Sequence, residues 1–368
     1  MKPAAYYPAL DGLRGIAVLS VVAFHLGVPL FSLGWTGVTL FFALSGFLIS
    51  GILMDSRTSQ NYFTTFYARR ALRILPLYYG TLVVVMFVIP LLVPNAEVPP
   101  PHDRLFYFFY LNNCTSLLQV PNNSQYLGHF WTLAIEEQFY LVWPMIVFLV
   151  RPARLKWAMM LIASCGLISW LYLLNFGATP ESGRLTFAAF PSLMAGACCA
   201  MFIRQPKALN GLESGKKIYL PLAVVCFSLF AAIKLGSGPW LEKSSHASAL
   251  FLAGCAMVLS FTALLLAALF GPKAVKEFLT FHPLRVVGRY SYGMYVFHIP
   301  LITAFTHFYH PTSLVGRCLW RVLVLIAIFS IAALSYELFE KRLLRFKTRS
   351  SLATPHLIRL ADVPNQNT

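Results

Sequence analysis

The sequence predicts an all-α, polytopic membrane bundle of about ten transmembrane helices with both termini cytoplasmic. Two observations carry this. Of 368 residues, 58% are hydrophobic and only 11% charged, where a soluble domain carries roughly 25% charge, and the mean hydropathy is +0.67. The apolar residues also fall into ten stretches near the length of about 20 that crosses a bilayer: 14–33, 34–54, 76–93, 131–150, 157–175, 184–203, 218–235, 247–270, 290–309 and 318–337.

Charge sets the orientation. With the N-terminus inside, the inner loops hold Arg57, Arg69, Arg70, Arg73, Arg151, Arg154, Lys156, Arg204, Lys207, Lys216, Lys217, Lys273, Lys276, Arg285 and Arg289. The outer side holds Arg104, Arg184, Lys234, Lys243, Arg317 and Arg321. Alternate loops thus follow the positive-inside rule, which accounts for the net charge of +16 without a nucleic-acid partner. The chain reads as one membrane domain over 1–345 and a basic tail over 346–368, predicted to be disordered. The first apolar stretch lacks a small-residue cleavage site and reads as a retained helix. The longest outer loop, about 94–130, is rich in Pro and Asn, and its aromatic run 105–111 is too short to span. Six of the seven Cys lie in apolar segments, where Cys acts as a small hydrophobe. No CxxC spacing suggests a metal.

Ionisable groups at membrane depth are costly and point to function. In the first helix, Arg14 and His25 are eleven residues apart. That is 1100° of helical rotation, within about 20° of three turns, so both lie on one face about 16 Å apart. In the fourth stretch, Glu136 and Glu137 are adjacent carboxylates pointing about 100° apart. One of them is expected to orient and charge His25, as a general base requires; the plain alternative is an acidic helix N-terminus. Arg69, Arg70 and Arg73 follow the aromatics Tyr62, Phe63, Phe66 and Tyr67, which predict an interfacial helix ending before Pro76. Three guanidiniums on about one turn suit a multi-phosphate ligand, or equally anionic lipid. Ser291, Tyr295 and His298 form a stripe at i, i+4 and i+7, which also suits helix packing. Ser45-Gly46 reads as close helix packing. Of His102, His246, His307, His310 and His356, in loops, near helix ends or in the tail, most are expected in solvent. Asn113-Cys114-Thr115 matches a sequon only formally, and Glu337 and Glu340 with Lys341 and Arg342 read as an ion network ending the last helix.

These segments together resemble the acyltransferase-3 family of bacterial integral membrane O-acyltransferases. The resemblance rests on Leu10-Asp11-Gly12-Leu13-Arg14-Gly15 with His25, on 37–47, on 66–76, on His129 to Tyr140, and on Ser291 to His298. It implies a ten-helix fold in the bacterial inner membrane. It also implies a cytoplasmic acyl-CoA co-substrate, often acetyl-CoA, with no permanently bound cofactor. The acceptor would be a carbohydrate or glycolipid such as lipopolysaccharide O-antigen or exopolysaccharide. By the same resemblance His25 and Glu136 or Glu137 are catalytic, and Arg14, Arg69, Arg70 and Arg73 bind the donor. Trp131, Tyr295 and His298 are the candidates for binding the acceptor. The chain resembles the branch without an extracytoplasmic hydrolase-like domain. Direct transfer and an acyl-His intermediate stay open, and a proton-coupled transporter or flippase is the alternative reading.

Overall fold

The computed structural model describes residues 6–93, 96–115, 124–176, 184–236 and 243–342. The tail 346–368 lies outside them. Among the described residues there is helix and no strand.

Each predicted span corresponds to one long helix: α1 (Pro8–His25), α2 (Gly37–Ser56), α3 (Tyr62–Val83), α6 (Trp131–Leu149), α7 (Pro152–Phe176), α8 (Thr186–Phe202), α10 (Tyr219–Gly236), α11 (Lys243–Phe270), α13 (His282–Phe308) and α14 (Leu314–Ser335). Short helices α4 (Ile89–Leu92), α5 (Arg104–Phe108), α9 (Pro206–Ser214) and α12 (Lys273–Leu279) connect them. Eight of these stretches are long and apolar enough to cross a bilayer, and a ninth is α8 taken with the sharply bent 206–217 segment. The tenth, α13, has 27 residues, about 40 Å at 1.5 Å per residue. Its polar stripe dilutes its hydropathy.

Two boundaries differ from the sequence reading. The first helix starts at Pro8 and ends at His25, so His25 caps the outer end rather than sitting partway along. The second difference is at Pro76, which does not end a helix. The chain stays helical from Tyr62 to Leu92, with a π-helical turn at Val84–Val88. In lipid, leaving the helix would strand more backbone groups than the one bond Pro76 removes. The run 105–111, too short to span as expected, folds back onto α3: Tyr78 donates to the Tyr107 carbonyl at 2.8 Å and Tyr79 to that of Phe108 at 2.9 Å.

Two helix pairs run parallel at very close range. Along α1 and α13, Asp11 meets Gly288 at one end and His25 meets His298 at the other. Along α2 and α8, Gly46 lies on the Leu193 carbonyl and Gly196 on that of Ala43, and Arg204 pairs with Asp55 at 2.6 Å. Both pairings agree with the alternating topology that the charges predict. The outer loop is tied in by Gln138, whose amide donates to the Tyr110 carbonyl at 2.7 Å and to Asn113 Oδ1 at 2.8 Å. Asn113 itself is 1% exposed and donates to Thr186 at 2.9 Å, so it has no room for a glycan. At the far end Lys341 pairs with Glu337 at 2.6 Å. Glu340 is instead buried, with one carboxylate oxygen unpartnered.

Candidate active site

A cavity of about 100 Å³ lies among α1, α2, α3, α6 and α13. At about 30 Å³ per water it holds some three waters, enough for the tip of a slender chain. Arg14, Arg70, Arg73, Glu136 and Glu137 all line it. A charge cluster this size inside an apolar bundle is expensive unless it is paired and hydrogen-bonded, and the local bonding is dense. Glu136 Oε1 accepts from the Ser45 hydroxyl at 2.6 Å. The Tyr140 hydroxyl reaches Ser45 Oγ at 3.3 Å. The Arg70 guanidinium lies 5.2 Å from the Tyr140 ring centre, in cation–π range. Glu137 keeps one buried oxygen unpartnered. Arg69 does not line the cavity and Trp131 packs in the surrounding core.

One end of the cavity is closed by a hydrogen-bonded pair. Thr132 Oγ1 and the Tyr295 hydroxyl lie 2.6 Å apart, and both also reach the His129 carbonyl, at 3.0 and 3.3 Å. Three imidazoles lie behind this pair. His298 packs against His129, ring centres 4.6 Å apart, and against His25, 4.9 Å apart. His298 is fully buried, His129 is 6% exposed, and His25 is exposed at the helix end.

The tautomers follow from the partners. A carbonyl only accepts, so a ring nitrogen facing one must carry the hydrogen. His25 Nδ1 faces the Val21 carbonyl at 2.9 Å, His298 Nδ1 that of Tyr295 at 2.6 Å, and His129 Nε2 that of Val296 at 3.2 Å. Each ring therefore offers a lone pair on its other nitrogen. Those of His298 Nε2 and His129 Nδ1 are buried and unpartnered. On these tautomers none of the three rings carries a hydrogen on its other nitrogen. A proton added to His25 Nε2 would supply one, and a charge-assisted bond of that kind is among the stronger ones.

Sequence reasoning thus brought together Arg14, Arg70, Arg73, Glu136 and Glu137, but placed His25 among them. The structure puts His25 beyond Thr132 and Tyr295, with His298 rather than a carboxylate against its ring. Glu136 turns instead toward α2 and Ser45. Gly46 makes the close packing expected of Ser45-Gly46, while Ser45 serves the carboxylate. Ser45 was expected only to pack, and Tyr140 and His129 had no role assigned from the sequence. Tyr140 was discoverable, four residues from Glu136 on the same helical face. His129 lies just before α6, and only tertiary packing brings it to His298.

The family pattern described as Acyltransferase domain matches residues 7–337. The chain belongs to the acyltransferase-3 family. It is 31% identical over 361 residues to the peptidoglycan O-acetyltransferase OatA of Listeria monocytogenes, covering 91% of this chain and 55% of that one. It is 28% identical over 359 residues to the O-acetyltransferase OatA of Staphylococcus aureus, covering 91% and 57%. The chain therefore spans a little over half the length of the curated relatives it matches. No solved structure matches. Within this acyltransferase-3 chain the matched stretch contains every residue of the cavity and of the imidazole cluster.

Proposed function

We propose that this protein is an O-acetyltransferase of the bacterial cytoplasmic membrane. It moves an acetyl group from cytoplasmic acetyl-CoA to a hydroxyl of an envelope carbohydrate. The observation that carries the reading is an arginine-lined cavity whose wall includes the hydrogen-bonded Thr132 and Tyr295, with Tyr295 packed against the His298 ring and His298 against that of His25. The name of the Listeria relative puts peptidoglycan first among acceptors, ahead of lipopolysaccharide O-antigen and exopolysaccharide.

The donor's phosphates bind at Arg73 and Arg70 with Arg14 beyond them, and the pantetheine arm brings the thioester to the Thr132–Tyr295 pair. The pair parts to admit the carbonyl. An acceptor hydroxyl then attacks the carbonyl carbon while His25 Nε2 takes its proton. The C–S bond breaks, and the CoA thiolate leaves inward and receives that proton from the imidazolium. His298 holds the protonated His25 by accepting its new N–H, which makes it a positioning residue. Proton transfer by such a base contributes typically 10²–10⁴-fold.

The test is transfer of labelled acetyl from acetyl-CoA to native envelope glycan in proteoliposomes. A chain that moved glycan unmodified and ignored acetyl-CoA would be a transporter instead. Within that assay, Arg73→Ala should raise the KM for acetyl-CoA by about tenfold or more, as loss of a charge-assisted phosphate contact predicts. The KM for S-acetyl-N-acetylcysteamine, a thioester with no phosphate, should not change. Equal effects on both donors would remove the phosphate role.

A further inference from the structure

On the outer side a second cavity, of about 660 Å³, opens between α13 and the stretches 96–97 and 125–126. Its size falls in the ~300–1,000 Å³ range of ligand pockets. Its walls mix the hydroxyls of Thr303 and Thr306, the imidazoles of His307 and His310, the Glu97 carboxylate and the Gln125 amide with apolar side chains such as Ile299 and Ile302. Among the described residues no Lys or Arg lines it. This favours a neutral polyhydroxylated ligand over a phosphate, which calls for guanidinium or ammonium groups. The apolar patches suit the C–H faces of sugar rings.

Its placement links it to the chemistry. Ile299 follows His298 directly, and Tyr126, also on its wall, is three residues before His129. The rim is fastened to the helix that carries His298: Thr303 donates to the Gln125 carbonyl at 3.3 Å, and the Gln125 N–H donates to the Glu97 carbonyl at 3.3 Å. Solvent exposure of His307 and His310 was the simple expectation. Both are exposed, but they stand on the wall of this cavity rather than on a convex surface.

Building on the acetyltransferase reading, we propose that this outer basin binds a carbohydrate segment of the acceptor and delivers its hydroxyl toward His25 and His298. The inner cavity then serves the donor, the outer basin the acceptor, and the imidazoles lie between.

The experiment expresses basin variants in a deletion strain of the producing bacterium. It measures base-released acetate on envelope glycan, and in parallel the Tm shift that acetyl-CoA causes in each purified protein. Thr306→Trp fills the basin. It should lower glycan-bound acetate at least about tenfold and leave the acetyl-CoA shift at the wild-type value. The double variant Glu97→Gln, His307→Ala changes only exposed side chains, and should lower acetate about threefold or more with the shift retained. Wild-type acetate in either variant with a normal shift overturns the proposal. If Thr306→Trp also loses the shift it has misfolded, and the double variant alone decides. A wild-type protein that shows neither an acetyl-CoA shift nor glycan acetate defeats the acetyltransferase reading itself, which is a different result from failure of the basin.

Discussion

Replacing His25 with alanine should cut acetyl transfer by roughly 10²–10⁴-fold while leaving acetyl-CoA binding intact. The two halves of that expectation come from different observations. The loss follows from the tautomer: the bond from Nδ1 to the Val21 carbonyl leaves Nε2 as the free lone pair of an exposed helix-end residue, and the other two rings of the cluster are buried. The retention follows from position, since His25 is not among the residues lining the arginine cavity. Steady-state transfer and the acetyl-CoA-induced Tm shift measure the two separately. Transfer near the wild-type rate in His25→Ala would end the general-base assignment. His298→Leu extends the test, because it keeps bulk but removes the acceptor for the His25 proton. It should lower kcat more than KM and displace the pH–rate profile. A purely structural role would lower the amount of folded protein and leave the profile in place.

Gly46→Val should give the largest loss of folded protein. Even a methyl group at Gly46 would overlap the Leu193 carbonyl, and Gly196 stands in the same relation to the Ala43 carbonyl across the same helix pair. Backbone, unlike a flexible side chain, cannot swing aside, so α2 and α8 must separate. Small residues at such crossings are what allow helices to pack closely in lipid, and overpacking elsewhere costs about 1–3 kcal/mol before any backbone shift. Size-exclusion profiles and Tm in detergent read the result. Gly80→Ala is the internal control: nothing lies within 4 Å of a Cβ there. Alanine in a helix at a compatible site is neutral or stabilising by about 0.4–1 kcal/mol. If Gly46→Val matches Gly80→Ala in yield and Tm, the close crossing is not a constraint.

The same pair of helices shows what a linear reading can and cannot reach. The long apolar helices were legible because hydropathy is a local property of the chain, and the alternation that Lys and Arg predict agrees with the two parallel helix pairs. Arg14, Arg70, Arg73, Glu136 and Glu137 were legible as misfits, since each is a charge where lipid penalises charge. Who pairs with whom was not. Glu136 has two plausible partners by depth, His25 and the α2 hydroxyl, and only the rotation of α6 against α2 decides for Ser45. His129 is an unremarkable residue beside an aromatic run until the fold lays it on His298. The helix through Pro76 escaped for another reason: the usual punctuation of soluble chains weakens where water cannot satisfy a broken backbone.

The Thr132–Tyr295 hydrogen bond has a consequence for the cell beyond acetyl transfer. A channel wide enough for a thioester, open inward at the arginines and outward at the imidazoles, would let protons run down the membrane potential at every turnover. Under the proposed mechanism the packed core around Thr132 and Tyr295 would have to keep such a passage closed between turnovers. On that reading one reactant would have to fill its side before the contact parts, so energy conservation as well as chemistry would bear on the order in which the two reactants enter.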